Sequence, residues 1–434
     1  MTERKPQFVL MLVARVGTLV MGVLTSVVVA RALSPQERGT YYVAVSLATT
    51  ALAVGHLSVE QAQTATWPEK ARRSSLDANS VPLGLSVGTV AAVVAAVLGL
   101  VFQGHANLPD IRLLALACTG VPLGMGVLYA TNITVLRRRS HVAAWSMLAS
   151  GVVQCVCLAA LALTGRLTVL MVVVAWVLSS AVSLTVLIAA GGVTVGRPDL
   201  RLAGSTCVKG LRMHAGCTAT YLLLRSDVFL LNALCGRRDV GIYTLAVTLA
   251  ELSRLAVDAF SQVNLSAQFD GDAGSSAFVT ARLIRFMVLL AAASAVTTVA
   301  AVSALITPLY GPAYSDAAAV VAWLTPGVLL LSASRPLSSF LLRQGSPRLV
   351  ILPSLVALVV NVGLNTVLIP LWGAVGCAIA STVAYSGLVA ILLTFFSRRS
   401  GVGWRHLLPT SAEATWVTTE VRRRCRQLHI GRAA

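Results

Sequence analysis

Charge is what this sequence has least of. Asp, Glu, Lys and Arg make up 12% of its 434 residues, roughly half the share of a soluble globular domain. Hydrophobic residues make up 56%. Together these exclude one soluble core wrapped in polar surface. Acidic residues number only 16, against 34 basic ones of which three are lysine (Lys5, Lys70 and Lys209), so the net charge is +18. In a soluble protein that charge would point to nucleic acid; its placement here points elsewhere. Cysteine forms no framework. Cys118, Cys155, Cys157, Cys207, Cys217, Cys235, Cys377 and Cys425 mostly lie in apolar runs, where thiols serve as small hydrophobes. Six histidines are scattered, with no HExxH and no metal-ligand spacing. GxxxxGK[ST] is missing, so no ATPase is built in, and no cofactor, metal or catalytic residue is expected. Long polar insertions are missing too, so no extramembrane domain interrupts the chain.

What remains is a series of apolar runs about 20 residues long, each able to cross a hydrocarbon core of about 30 Å as a helix. Backbone groups find no water there, so only helices or a closed barrel can span. The runs are continuously apolar rather than alternating, which predicts helices. Twelve spans are expected: 8–30, 39–60, 82–103, 112–133, 143–164 and 167–190, then 213–234, 241–263, 284–307, 316–336, 349–369 and 373–396. Span 8–30 is too long for a signal-peptide core and carries Arg15 in its middle. The expected architecture is an all-α polytopic membrane protein with two parallel six-helix bundles. Its parts are an N-terminal bundle over 1–190, a linker over 191–212, a C-terminal bundle over 213–397 and a basic tail over 398–434.

Orientation follows from the basic residues. With the N-terminus cytoplasmic, 24 Lys and Arg fall on inner segments. Six fall on outer turns: Arg31, Arg38, Arg112, Arg166, Arg237 and Arg238. Both termini are therefore expected in the cytoplasm of a bacterial inner membrane. The tail, with RRRCR over 422–426, is expected to attract anionic membrane lipid, and nucleic acid is not an expected partner.

One pattern occurs twice. GTYYVAVSL begins at Gly39 and GIYTLAVTL at Gly241; Gly39, Tyr41, Ala44, Val45 and Leu47 recur as Gly241, Tyr243, Ala246, Val247 and Leu249 at one fixed offset. Glu37 upstream matches Asp239. A half-length repeat with an even number of spans per half predicts two like-oriented bundles, the layout of a secondary transporter. The repeated Gly and Tyr are expected to serve packing and turn geometry.

ARALSPQERGTYYVAVSL, LLRSDVFLLNALCGRRDVGIYTLAVTLAE and the stretch from Leu341 that contains NVGLNTVLIPLWGAVGCAIAS resemble the polysaccharide flippases of the O-antigen and teichoic-acid export type. These belong to the multidrug/oligosaccharidyl-lipid/polysaccharide exporter superfamily, and the resemblance covers about 30–400. It implies a V-shaped pair of bundles around a central cavity. It also implies movement of a polyprenyl-diphosphate-linked oligosaccharide from the inner to the outer leaflet by alternating access, for cell-surface polysaccharide export.

Charges inside spans are costly and normally face a bundle interior or wet cavity. Span one holds Arg15, and spans seven and eight hold Arg225, Asp227, Glu251, Arg254 and Asp258. Arg225 and Glu251 lie equally far from the turn near 236–240, about 16 Å deep at 1.5 Å per residue. Glu251, Arg254 and Asp258 share one helical face. Two readings stay open: a self-satisfied network holding the hairpin, or arginines facing the cavity to attract a diphosphate, whose oxygens suit a guanidinium fork. The second makes Arg15, Arg225 and Arg254 the expected substrate-binding residues, the first two on helices that resemble cavity-lining ones in the family. Asp227 and Glu251 are the expected ion-coupling residues, with proton or sodium as the ion. Counted together, Arg15, Arg225, Arg254 and Arg285 are offset by Glu60, Asp227, Glu251 and Asp258. Asn361 and Asn365 are expected to tie helices together. Two rival functions are an exporter of drugs or small metabolites by cation exchange and, less favoured, a membrane glycosyltransferase or polymerase, for which the outer loops are too short.

Overall fold

The computed structural model describes residues 4–104, 107–194, 196–265, 273–346, 348–403 and 407. Every regular element among them is helical. In chain order the α-helices are α1 (Arg4–Ala32), α2 (Pro35–Gly55), α3 (Val59–Thr66), α4 (Arg73–Phe102), α5 (Ile111–Leu136), α6 (Ser140–Leu163), α7 (Val169–Ala189) and α8 (Leu200–Leu234). They continue as α9 (Arg237–Leu265), α10 (Ala273–Tyr310), α11 (Ala317–Leu331), α12 (Ser334–Arg343) and α13 (Arg348–Ser400). Among the described residues, eight helical stretches are long and apolar enough to cross a membrane.

The few polar residues between the runs set where helices begin. Ser34 and Glu37 form a capping box on α2: the Ser34 N–H donates to Glu37 Oε2 at 2.9 Å, and the Glu37 N–H donates to Ser34 Oγ at 3.3 Å. Asp110, Thr168 and Asp199 cap α5, α7 and α8. These caps explain two departures from the expected spans, and backbone conformation explains two more. The box starts α2 four residues early and carries Arg38 into the helix, where it is wholly buried instead of sitting in a turn. Asp199 starts α8 inside the stretch expected as linker. Span 39–60 is broken between α2 and α3, because Leu57 and Ser58 both take left-handed conformations (φ 50° each). The expected turn near 370 is a break within α13 at Gly373 (φ 54°).

Polarity is arranged inside out. Val90, Val97, Val101, Val156 and Val359 are exposed, whereas Arg38, Asp77, Asp227, Asn361, Asn365 and Ser381 are buried. Apolar solvent outside removes the usual drive to bury valine, so helices associate through close packing and polar contacts. Between α4 and α5, a Cβ on Gly84 would lie 2.7 Å from Gly126 Cα, and one on Gly88 would lie 2.5 Å from Pro122 Cα.

The helices form two compact units. The first gathers 1–245, 305–317 and 362–377; the second gathers 246–304, 318–361 and 378–434. In the second, Asn361 Nδ2 donates to Ser381 Oγ at 3.3 Å, a helix tie of the kind the sequence suggests for Asn361. Most of the basic tail, including 422–426, lies outside the described residues.

Candidate functional site

The two copies of the repeated motif meet inside the first unit. The first turns of α2 and α9 cross so closely that a Cβ on Gly39 would lie 1.7 Å from the Arg237 carbonyl oxygen and 3.1 Å from Gly241 N. A Cβ on Gly241 would lie 1.9 Å from the Pro35 carbonyl oxygen and 3.2 Å from Gly39 N. Only hydrogen fits at either position. The tyrosine two residues on in the second copy, Tyr243, is 1% exposed, and its hydroxyl donates to Asp227 Oδ2. Asp227 Oδ1 accepts the Val228 N–H at 2.8 Å. The wholly buried Cys377 lies beside both side chains. Asp227 is thus buried with both carboxyl oxygens bonded, one of them to the tyrosine two residues beyond the crossing Gly241.

Arg38 lies on the other side of that crossing. Its guanidinium donates to the Ser26 carbonyl (3.1 Å), Ser26 Oγ (3.2 Å) and the Tyr42 hydroxyl (3.3 Å), and stands 5.0 Å from the Tyr42 ring and 6.0 Å from that of Tyr314. Its Nε has no partner. Arg31 donates to the carbonyls of Pro308 and Leu309, and the Tyr314 hydroxyl to that of Leu33 at 3.0 Å. The end of α10 is therefore held by Arg31, and the segment just after it by the Tyr314 hydroxyl. Near Gly373, burial raises the Asp239 carboxyl above its ordinary value, against Arg238 and the Ala374 N–H, which lower it.

The other expected site residues are distributed as follows. Arg225 is half-buried on α8 in the first unit, and Glu251 is exposed on α9 in the second. Arg254 Nη2 reaches Asp258 Oδ2 at 3.4 Å, each 21% exposed, while Arg254 Nε is buried without a partner. Arg15 is in α1, and its side chain lies outside the described residues. In the second unit an apolar cavity of about 260 Å³ opens between α10, α11 and the start of α12, against Met287, Ala291, Pro326 and Leu329. Its lining suits hydrocarbon, not a diphosphate.

Residues 7–263 match the family described as polysaccharide biosynthesis protein. The chain belongs to this family. Comparison with curated protein sequences gives no significant match. Among solved structures, a lipid II flippase MurJ in an inward closed conformation superposes with a TM-score of 0.73 at 13% identity, over 90% of each chain. An inward-facing multidrug resistance MATE family transporter of the MOP superfamily gives 0.68 at 15% identity, over 89% of this chain and 94% of that one. A MOP superfamily transporter from Pyrococcus furiosus, with a binding pocket of reverse polarity, gives 0.64 at 15% identity over 91% and 94%. This member of the polysaccharide biosynthesis family thus has the fold of MOP-superfamily transporters and flippases, not of enzymes.

Within this family member, three groups of buried polar residues were not foreseen. Arg38 was hidden by its nearness to the turn. Asp77 was hidden because it precedes an apolar run; it accepts from Arg137 Nη1 at 2.7 Å, Thr194 Oγ1 at 2.6 Å and Thr194 N at 3.0 Å. The third group unites His56 with His214, separated by more than a third of the chain, whose rings meet edge to face at 4.9 Å. Their only sequence signal is that each polar ring lies at the edge of an apolar run.

Proposed function

We propose that the protein is a secondary transporter that moves a polyprenyl-diphosphate-linked oligosaccharide from the inner to the outer leaflet of a bacterial inner membrane by alternating access. Membership of the polysaccharide biosynthesis family carries this reading. The arrangement has two six-helix bundles, 1–190 and 213–397, with the linker 191–212 and both termini cytoplasmic, and the tail from 398 against anionic lipid. Arg15, Arg225 and Arg254 attract the diphosphate. The unpartnered Nε of Arg254 supports that role, since its pairing with Asp258 leaves a donor unused. The apolar cavity beside Met287 suits a polyprenyl chain. Asp227 and Glu251 carry the coupling ion, a proton or sodium. The enclosed Asp227–Tyr243 bond supports a proton there, because losing or gaining one rewrites that contact in a low-dielectric site.

The test is export in cells that depend on this chain for surface polysaccharide. Arg225→Ala should cut export at least tenfold, with the protein still in the membrane. Asp227→Asn should keep the fold and lose the response to a proton gradient. Full export by Arg225→Ala, or an unchanged gradient response in Asp227→Asn, removes that residue from its role. The likeness to a MATE transporter favours one second reading, export of small organic cations. Proteoliposomes that extrude ethidium but do not move a fluorescent polyprenyl-diphosphate glycolipid would replace the first reading with this one.

A further inference from the structure

We propose that Arg38 and Arg31, at the turn between α1 and α2, form an anion site that takes the diphosphate of the transported lipid as it leaves. Neither is among Arg15, Arg225 and Arg254, the residues given that role above. Both arginines and all their partners lie in the first unit.

The repeat shows that the fold does not need these charges. The offset that relates Gly39 to Gly241 also relates the end of α1 at Ala32 to the end of α8 at Leu234, and the start of α2 at Pro35 to the start of α9 at Arg237. At that offset Arg38 corresponds to Val240, Ser26 to Val228, Tyr42 to Thr244 and Arg31 to Ala233. Val240, Val228 and Thr244 are buried. The same joint is thus built in the second copy without a charge. The first copy places a wholly buried guanidinium there, at the cost of its hydration.

Its surroundings leave that charge unanswered. Among the described residues neither Arg38 nor Arg31 has an acidic partner; their acceptors are carbonyls and hydroxyls. Glu37, next in the chain to Arg38, is exposed and spends its carboxylate on the cap of α2. Arg38 Nη1 donates to the Ser26 carbonyl at 3.1 Å. The edge made by Nε and Nη2 is one that a phosphate can take with two parallel bonds. On that edge Nη2 reaches only hydroxyls, at 3.2 and 3.3 Å, and the buried Nε reaches nothing. Bonds to an ionised acceptor are roughly twice as strong as neutral ones, so an anion displaces those hydroxyls at a gain.

In this conformation the end of α10 stands where the anion would. Arg31 donates to the Pro308 and Leu309 carbonyls, which belong to the last turn and have no partner within the helix. They carry the negative end of the helix dipole, worth about half an elementary charge. Tyr310 hydrogen-bonds with Ser26, and the Tyr314 ring lies 6.0 Å from the Arg38 guanidinium. This helix end is loosely tied to the rest of α10. Pro308 has no N–H to offer the Ala304 carbonyl, and Gly311 (φ 97°) stops the helix. A diphosphate brings whole negative charges and competes with the helix end for both arginines. In the proposed orientation this turn faces the outside, where the lipid departs. As a station for the lipid the site rests on the transporter reading above; as an anion site it does not.

The test is nitrogen NMR of the arginine Nε–H groups of the full chain in lipid nanodiscs, with Arg38→Met and Arg31→Gln assigning the two signals. Inorganic pyrophosphate should shift both signals along one saturation curve, and chloride at equal ionic strength should leave them in place. Arg31→Gln should weaken the response at Arg38 by about tenfold, the loss of one charge-assisted bond. Should Arg38→Met fail to fold, Arg38→Lys keeps the charge without the fork and must weaken the response at Arg31 by a similar factor. Separate curves, an equal response to chloride, or no shift at all would overturn the site. A fluorescent polyprenyl-diphosphate glycolipid identifies the source of the anion. It should shift the same two signals, and Arg38→Met should slow its movement in vesicles by about tenfold. A response to pyrophosphate with no response to the glycolipid and no glycolipid movement ends the proposed function and leaves the anion site standing. Glycolipid movement at full rate in an Arg38→Met protein that melts like the parent removes Arg38 from the export path and leaves the transporter reading intact.

Discussion

Arg38 shows what one residue can do in a chain with so few charges. Its partners are neutral: a carbonyl, a serine and tyrosines. A buried cation held this way gives up much of its hydration, so swapping it for an apolar group of similar length is nearly neutral, while leaving a void is not. Arg38→Met should melt within about 1.5 kcal/mol of the parent, and Arg38→Ala should lose roughly 2–4 kcal/mol, both read by thermal unfolding in detergent. Equal losses would mean that the charge itself, not the space it fills, holds Ser26 and Tyr42 together. Tyr243 makes the complementary case. Tyr243→Phe takes a donor from the buried Asp227 and should cost about 1–3 kcal/mol. Adding Asp227→Asn should cost less than the sum of the two single changes, because both remove the same bond. Strict additivity in that double-mutant cycle would rule out the contact.

Helices α2 and α9 meet through the residues that made the repeat visible. The sequence pattern shows that Gly39 and Gly241 are equivalent and belong to packing; it does not show that they pack on each other, since no periodicity encodes a partner. Gly39→Ala and Gly241→Ala each place a methyl inside a backbone contact and should each cost roughly 1–3 kcal/mol by overpacking. The double variant should cost little more than either single one, because one displacement of the helices relieves both clashes. A doubled loss in detergent melting would show that the two glycines act separately. The all-helical, apolar character of the chain was legible because a run of twenty apolar residues has one stable form in lipid. Helix starts fell within about a turn of the expected spans at the caps Ser34, Asp110 and Thr168, but not at Asp199, which starts α8 inside the expected linker. The break at Leu57 and Ser58 was not legible, because Gly210 on a distant helix packs against it and nothing local announces it. The same distance hid His56 from His214. Composition finds charges that are costly, but pairing between helices far apart in sequence is decided by tertiary packing.

Over the whole molecule, the exposed apolar faces and buried polar ones call for lipid around the long apolar helices. Helix α6 makes the consequence for orientation testable. It runs 24 residues, about 36 Å, which exceeds a hydrocarbon thickness of about 30 Å. Trp145, Val152 and Val156 are exposed along it. Its two ends must then lie on opposite sides of the bilayer. Arg137, Arg138 and Arg139 precede it, and Arg166 alone follows it. Three cations held back by the membrane potential and the anionic inner leaflet outweigh one, so the proposed orientation puts the end at Arg138 in the cytoplasm. Alkaline phosphatase fused after Arg138 should be inactive, and fused after Arg166 active; a fluorescent protein at the C-terminus should glow. The reverse pattern would invert the proposed direction of export, while equal activity at both fusion sites would mean that α6 does not cross.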